Sequence, residues 1–81
     1  MTDSYRVQFA PVAEAAVRDM TAGHRARFDA GIRALAVEPY GNGSTAIREE
    51  RDYRQAAVGG ALIVYYVSTS VLLITVVRAV H

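Results

Sequence analysis

Three residues in the last third of the chain are of types that do chemistry, and they stand where apolar strands have no use for them: Arg54, Arg78 and His81. The stretch DYRQAAVGGALIVYYVSTSVLLITVVRAVH holds a Tyr-Arg step, a Gly-Gly turn, two strongly apolar runs, then one Arg and a closing His. Cationic side chains on an otherwise hydrophobic sheet point to an anion site, with a phosphate backbone the leading candidate anion. His81 changes protonation near neutral pH, which suits a general acid or base. His24, at the start of the second predicted helix, reads as a solvent residue.

Arginine is the whole basic complement: all nine basic residues are Arg, against eight acids, for a net charge of +1. Arg binds phosphate through a planar, bidentate fork and stays charged at any working pH, so it clamps anions well and serves poorly as a base. No lysine is present to accept a proton. Glu49 and Glu50 are then the other carboxylate candidates for a base, inside the charged run REERD that also carries Arg48 and Arg51. The bland alternative is that this run is solvated and pairs with itself.

The elements that position these groups follow from periodicity. Tyr5 to Phe9 alternates apolar and polar, as a half-buried strand does. Pro11 suits the first turn of a helix, and Ala13, Ala16, Val17 and Met20 fall on one face of it. Thr21-Ala22-Gly23 breaks that helix. A second carries Phe28, Ile32, Leu35 and Ala36 as its buried stripe and ends before Pro39. Residues 40–44 form a loop, and residues 45–51 are an irregular approach to a strand. Strands are predicted at Asp52–Val58, Ala61–Val67 and Val71–Val80, with Gly59-Gly60 as the hairpin turn. Tyr65 and Tyr66 are adjacent on a strand and face opposite sides. The expected architecture is a single α+β domain over residues 1–81, in the order β-α-α-β-β-β: an N-terminal strand and a helical hairpin packed on a small twisted four-stranded sheet.

Several classes are disfavoured. Residues 61–80 match a membrane-spanning helix in length, but Ser68-Thr69-Ser70 splits them into strand-length halves rich in Val, Ile, Thr and Tyr. MTDSYRVQF has no signal-peptide core. With no Cys there is no disulfide framework or thiolate metal site, and two distant His have no metal-ligand spacing, so neither metal nor cofactor is expected. These features suit a cytoplasmic domain. A domain of this length buries only about 60–65% of its unfolded surface, so a partner is expected to help stabilise it.

The joints of this order resemble those of the RelE/ParE superfamily of bacterial toxins. The matching pieces are YRVQFAP, the helix ending RALAVEPYGNG, DYRQAAVGG, the IVYYV strand and the closing ITVVRAVH. The resemblance implies the toxin half of a type II toxin–antitoxin module, held inactive by a small antitoxin. It further implies either cleavage of mRNA on the ribosome, so inhibiting translation, or, in the ParE-like alternative, inhibition of DNA gyrase without catalysis. A third reading is a toxin fold that has lost activity.

Under the ribonuclease reading, cleavage by 2′-OH attack needs a base, an acid and cations against the charged phosphorane. Arg54 and Arg78 are then the phosphate clamp, His81 the general acid, and Glu49 or Glu50 the base. Arg48 and Arg51 become contacts to RNA phosphates, and Tyr53 stacks on a base. The chain departs from the family in having Leu62 where a second Arg is common, no Lys before the Tyr-Arg strand, and His81 as its last residue, all of which thin the positive surface.

Overall fold

The computed structural model describes residues 4–41 and 43–81; Asn42, in the predicted 40–44 loop, lies outside them. Strand β1 (Arg6–Phe9) turns inward its two apolar residues, Val7 and Phe9, against the core. Ala10 and Pro11 then start helix α1 (Pro11–Arg18), where proline's missing N–H leaves no bond unmade. Ala13 and Val17 are its buried face, and Glu14 pairs with Arg18 one turn on, at 3.3 Å. Helix α2 (Ala22–Val37) begins two residues earlier than predicted. Thr21 is its cap, accepting the His24 N–H at 3.2 Å, so Ala22 and Gly23 form its first turn rather than the break. Phe28, Leu35 and Ala36 are buried from it.

Four more strands complete one sheet: β2 (Ser44–Ile47), β3 (Glu50–Val58), β4 (Ala61–Ser68) and β5 (Leu73–Val80). Their order is β1-β5-β4-β3-β2, with β1 parallel to β5 and the other pairs antiparallel. The helical hairpin covers one face, and Phe28 meets Ile63, Tyr65, Ile74 and Val76 in a core where all five are fully buried. The α+β order and the packed helical hairpin are as expected, but the sheet has five strands, not four. Residues 45–51 supply the extra one. Arg48 and Glu49, at φ 53° and 65°, close a tight β2–β3 hairpin in which Ile47 opposes Glu50. No glycine marks that turn, so nothing local separates it from an irregular strand start.

Two details decide where functional groups point. Gly59 has φ +54°, and a Cβ there would lie 2.6 Å from the Phe28 backbone; only glycine lets the β3–β4 turn meet α2 so closely. The β4–β5 register also slips. Val64 faces Arg78 but Tyr65 faces Val76, so β5 holds one extra residue between Val76 and Arg78. Strict alternation from Ile74 and Val76 would turn Arg78 inward; the bulge turns it outward and buries Ala79 instead.

Candidate functional site

Arg54 sits opposite Tyr65 on the helix-covered face, near the loop that follows α2. Its Nε–H donates to Ser44 Oγ at 2.6 Å, Nη2 to the Ser44 carbonyl at 3.1 Å and Nη1 to the Arg51 carbonyl at 3.0 Å. The Tyr65 hydroxyl donates to the Pro39 carbonyl at 2.6 Å and also meets Ser44 Oγ. A guanidinium only donates and a carbonyl only accepts, so the direction of the chain is fixed: Arg54 to Ser44 to Tyr65 to Pro39. Two of the five guanidinium N–H groups have no partner among the described residues.

Tyr40 forms the outer wall. Its hydroxyl donates to Asp52 Oδ1 at 2.6 Å. The Arg51 guanidinium lies 4.5 Å above the ring and that of Arg54 5.2 Å away, both within cation–π range. Burial, and then the hydrogen bond to and the charge of Asp52, push the Tyr40 phenol up to about 12, against a partial offset from Arg51. The phenol therefore stays protonated at neutral pH. Tyr40, Ser44, Tyr65 and Asp52 were not among the residues the sequence singled out for chemistry. The only signal for them was a Tyr followed by a Gly-rich loop after Pro39.

The remaining candidates are distributed around this cluster and away from it. Arg48 and Glu49 form the exposed tip of the β2–β3 hairpin, with Glu50 exposed beside them. Tyr53 lies on the other face of the sheet and stacks on Tyr66 with ring centroids 4.4 Å apart. Tyr65 is wholly buried and Tyr66 is 47% exposed, so the two adjacent tyrosines do face opposite ways.

Arg78 stands opposite Val64 on the face the helices leave open. Arg54 and Arg78 are thus on opposite faces of one sheet and are not brought together. His81 returns to the helix side, where its Nε2–H donates to the Ala16 carbonyl at 2.7 Å. Its ring meets that of His24 edge-on, with centroids 5.3 Å apart. His24 is half-buried rather than a solvent residue, and its Nε2 is buried without a partner among the described residues. The structure therefore gathers Arg51, Arg54 and Tyr40 at one place, and holds Arg78 and His81 at two others.

A helical hairpin on one face of a mixed sheet, with two arginines gathered against Tyr40 at the α2–β2 loop, defines a small α+β protein. Its fold is that of the RelE toxins. The chain is similar to the toxin chain in the RelBE2 toxin–antitoxin complex of Mycobacterium tuberculosis, at 18% identity and a TM-score of 0.79, over 98% of this chain and 99% of that one. It is similar to RelE in the RelE–RelB complex of Pyrococcus horikoshii, at 21% identity and a TM-score of 0.79, over 99% and 94%. The intact E. coli RelBE complex gives 16% identity and a TM-score of 0.79, over 95% of each chain. No family model and no curated protein matches the sequence. No helix among the described residues is long and apolar enough to cross a membrane.

Proposed function

We propose that this protein is the toxin of a toxin–antitoxin module and that it acts in the cytoplasm on ribosome-bound mRNA. The observation that carries the toxin reading is the match in fold, along nearly the full length of both chains, to toxins seen in complex with their antitoxins. The mRNA reading draws support from the corner where Arg51 and Arg54 flank Tyr40. Both guanidinium groups lie within cation–π range of the Tyr40 ring, and both arginines follow the Arg48–Glu50 hairpin tip closely in sequence. Arg51 and Arg54 would hold phosphate, and Glu49 or Glu50 would be the nearby base. The partner under this reading is a cognate antitoxin.

A second reading is favoured by one observation. Arg54, Arg78 and His81 do not converge, which suits a toxin that binds a target such as DNA gyrase without catalysis. Induced expression followed by mapping of mRNA 5′ ends separates the two. Growth arrest with new ends inside translated messages, relieved by Arg51→Ala, supports the nuclease. Arrest with intact mRNA and an induced DNA-damage response supports gyrase. Unimpaired growth with folded, soluble protein refutes both.

A further inference from the structure

The two histidines are far apart in the chain, and folding brings their rings together at the other end of α2 from the Arg51–Tyr40 corner. Local structure places each of them. Thr21 caps α2 and accepts the His24 N–H at 3.2 Å, which holds His24 in the first turn. Ala16 lies in the last turn of α1, where the N–H four residues on, that of Met20, is spent on Val17. The Ala16 carbonyl keeps a long bond from the Asp19 N–H, at 3.3 Å, and takes a shorter one from His81 Nε2, at 2.7 Å. His81 reaches it directly from the end of β5.

Hydrogen bonding decides what each ring nitrogen can still do. A carbonyl only accepts, so His81 carries its proton on Nε2, and the neutral ring keeps a lone pair on Nδ1. His24 Nε2 is buried without a partner among the described residues. Beside it stands Gly60, where a Cβ would lie 3.4 Å from that nitrogen; glycine has no side chain to offer it. A buried ring nitrogen with nothing to bond is costly, and a metal ion satisfies its lone pair as a proton donor would. The spacing of the rings suits an ion between them. Zinc–nitrogen bonds place a metal about 3.2 Å from an imidazole centre, so two rings at the tetrahedral angle have centres about 5.2 Å apart. The His24 and His81 centroids are 5.3 Å apart, with the ring planes at 84°.

We propose that His24 and His81 form a two-histidine site for a divalent transition-metal ion of the zinc class, with His24 Nε2 and His81 Nδ1 as its ligands. The bond from His81 Nε2–H to the Ala16 carbonyl is the outer contact that orients a ligating imidazole and raises its basicity. No third His, Cys, Asp or Glu joins the pair among the described residues, so water completes the coordination shell. His81 is exposed, which gives the ion a way in. Imidazole nitrogens suit zinc, copper and nickel, whereas magnesium and calcium demand oxygen ligands. Sequence spacing gives no hint of such a site, because the fold alone supplies it. A bound ion clips the end of β5 to the start of α2 and, through Ala16, to the end of α1. The inference is independent of the toxin reading and of its target.

Titration of the intact protein with zinc ion, followed by imidazole and amide spectra and by thermal unfolding, tests the site. Zn²⁺ should shift the His24 and His81 ring signals together, saturate at one ion per chain and raise Tm. Mg²⁺ at the same concentrations should do none of these. His24→Gln and His81→Gln should each weaken Zn²⁺ binding by at least about tenfold, the loss that deleting even an outer-shell partner brings. Amide spectra show whether each variant keeps the fold, and the parent titration decides the matter if one does not. No response of the parent up to about 1 mM Zn²⁺ would overturn the proposal. So would a shift of only one of the two rings, an equal response to Mg²⁺, or undiminished affinity in either folded variant.

Discussion

The hydroxyl of Tyr65, on the fully buried side of β4, donates to the carbonyl of Pro39 and thereby ties the exit of α2 to the sheet. The same hydroxyl meets Ser44, which in turn accepts from Arg54. Tyr65→Phe keeps the ring and removes this junction, leaving a carbonyl and a hydroxyl short of a partner in a partly closed space. The expected loss is about 1–3 kcal/mol. In a domain of this size each kcal/mol lowers Tm by about 4–8 °C. Thermal unfolding of the variant measures it, and an unchanged Tm would show the junction to be unimportant.

Arg54 and Arg78 occupy opposite faces and share no partner among the described residues. Arg54→Ala should cost about 1–3 kcal/mol, because Ser44 and two carbonyls lose a donor. Arg78→Ala should stay within about 0.5 kcal/mol of the parent, as exposed positions without partners do. The double variant should equal the sum to within about 0.5 kcal/mol. Denaturant titration of the four proteins tests this. A larger coupling energy would mean that the two guanidinium groups do communicate.

The raised Tyr40 phenol gives a pH signature. Its folded value lies above the ordinary value of 10, so the protonated form is favoured by folding. That contribution is complete below about pH 10 and is lost as pH rises from about 10 to about 12. Absorbance titration of tyrosinate should show a late component among the five tyrosines, and Asp52→Asn should move it towards 10. A titration that Asp52→Asn leaves unchanged would refute the assignment.

Gly59 and Gly43 both have positive φ, but their surroundings differ. A Cβ at Gly59 meets the Phe28 and Arg27 backbone below 3 Å, whereas at Gly43 nothing lies within 4 Å. Gly43→Ala should therefore cost only the left-handed backbone penalty, about 1 kcal/mol. Gly59→Ala adds a backbone clash that no rotamer relieves, and should cost about 1–3 kcal/mol more. Equal Tm losses would contradict the close approach of α2 to the turn.

What could be read from the chain beforehand depended on whether the signal was local. The helical hairpin was legible because Pro11 and Pro39 mark its ends and apolar residues repeat along both helices. The β3–β4 hairpin was legible because Gly59-Gly60 is an explicit turn. The strand at Ser44–Ile47 was hidden because its turn uses Arg48 and Glu49, residues with no turn preference. The face of Arg78 depends on a bulge created by pairing with β4; register is a property of two strands and is not written in one. Arg54 was singled out as an unusual cation, and three of its N–H groups serve Ser44 and Arg51, partners the chain brings near only on folding.

The hairpin tip provides a last test, because there stability and proposed activity pull apart. Arg48 and Glu49 hold left-handed backbone, which costs a side-chain-bearing residue about 1–2 kcal/mol and glycine almost nothing. After allowing for glycine's greater freedom in the unfolded chain, Glu49→Gly should stabilise the fold by about 0.5–1 kcal/mol. Strain retained where glycine would relieve it is characteristic of functional positions. If Glu49 is the base for mRNA cleavage, the more stable variant should also lose growth arrest, while Glu49→Asn, which tolerates the same backbone, should lose arrest with little change in Tm. A Glu49→Gly protein that is more stable and fully toxic would remove Glu49 from the reaction and leave Glu50 as the remaining candidate base.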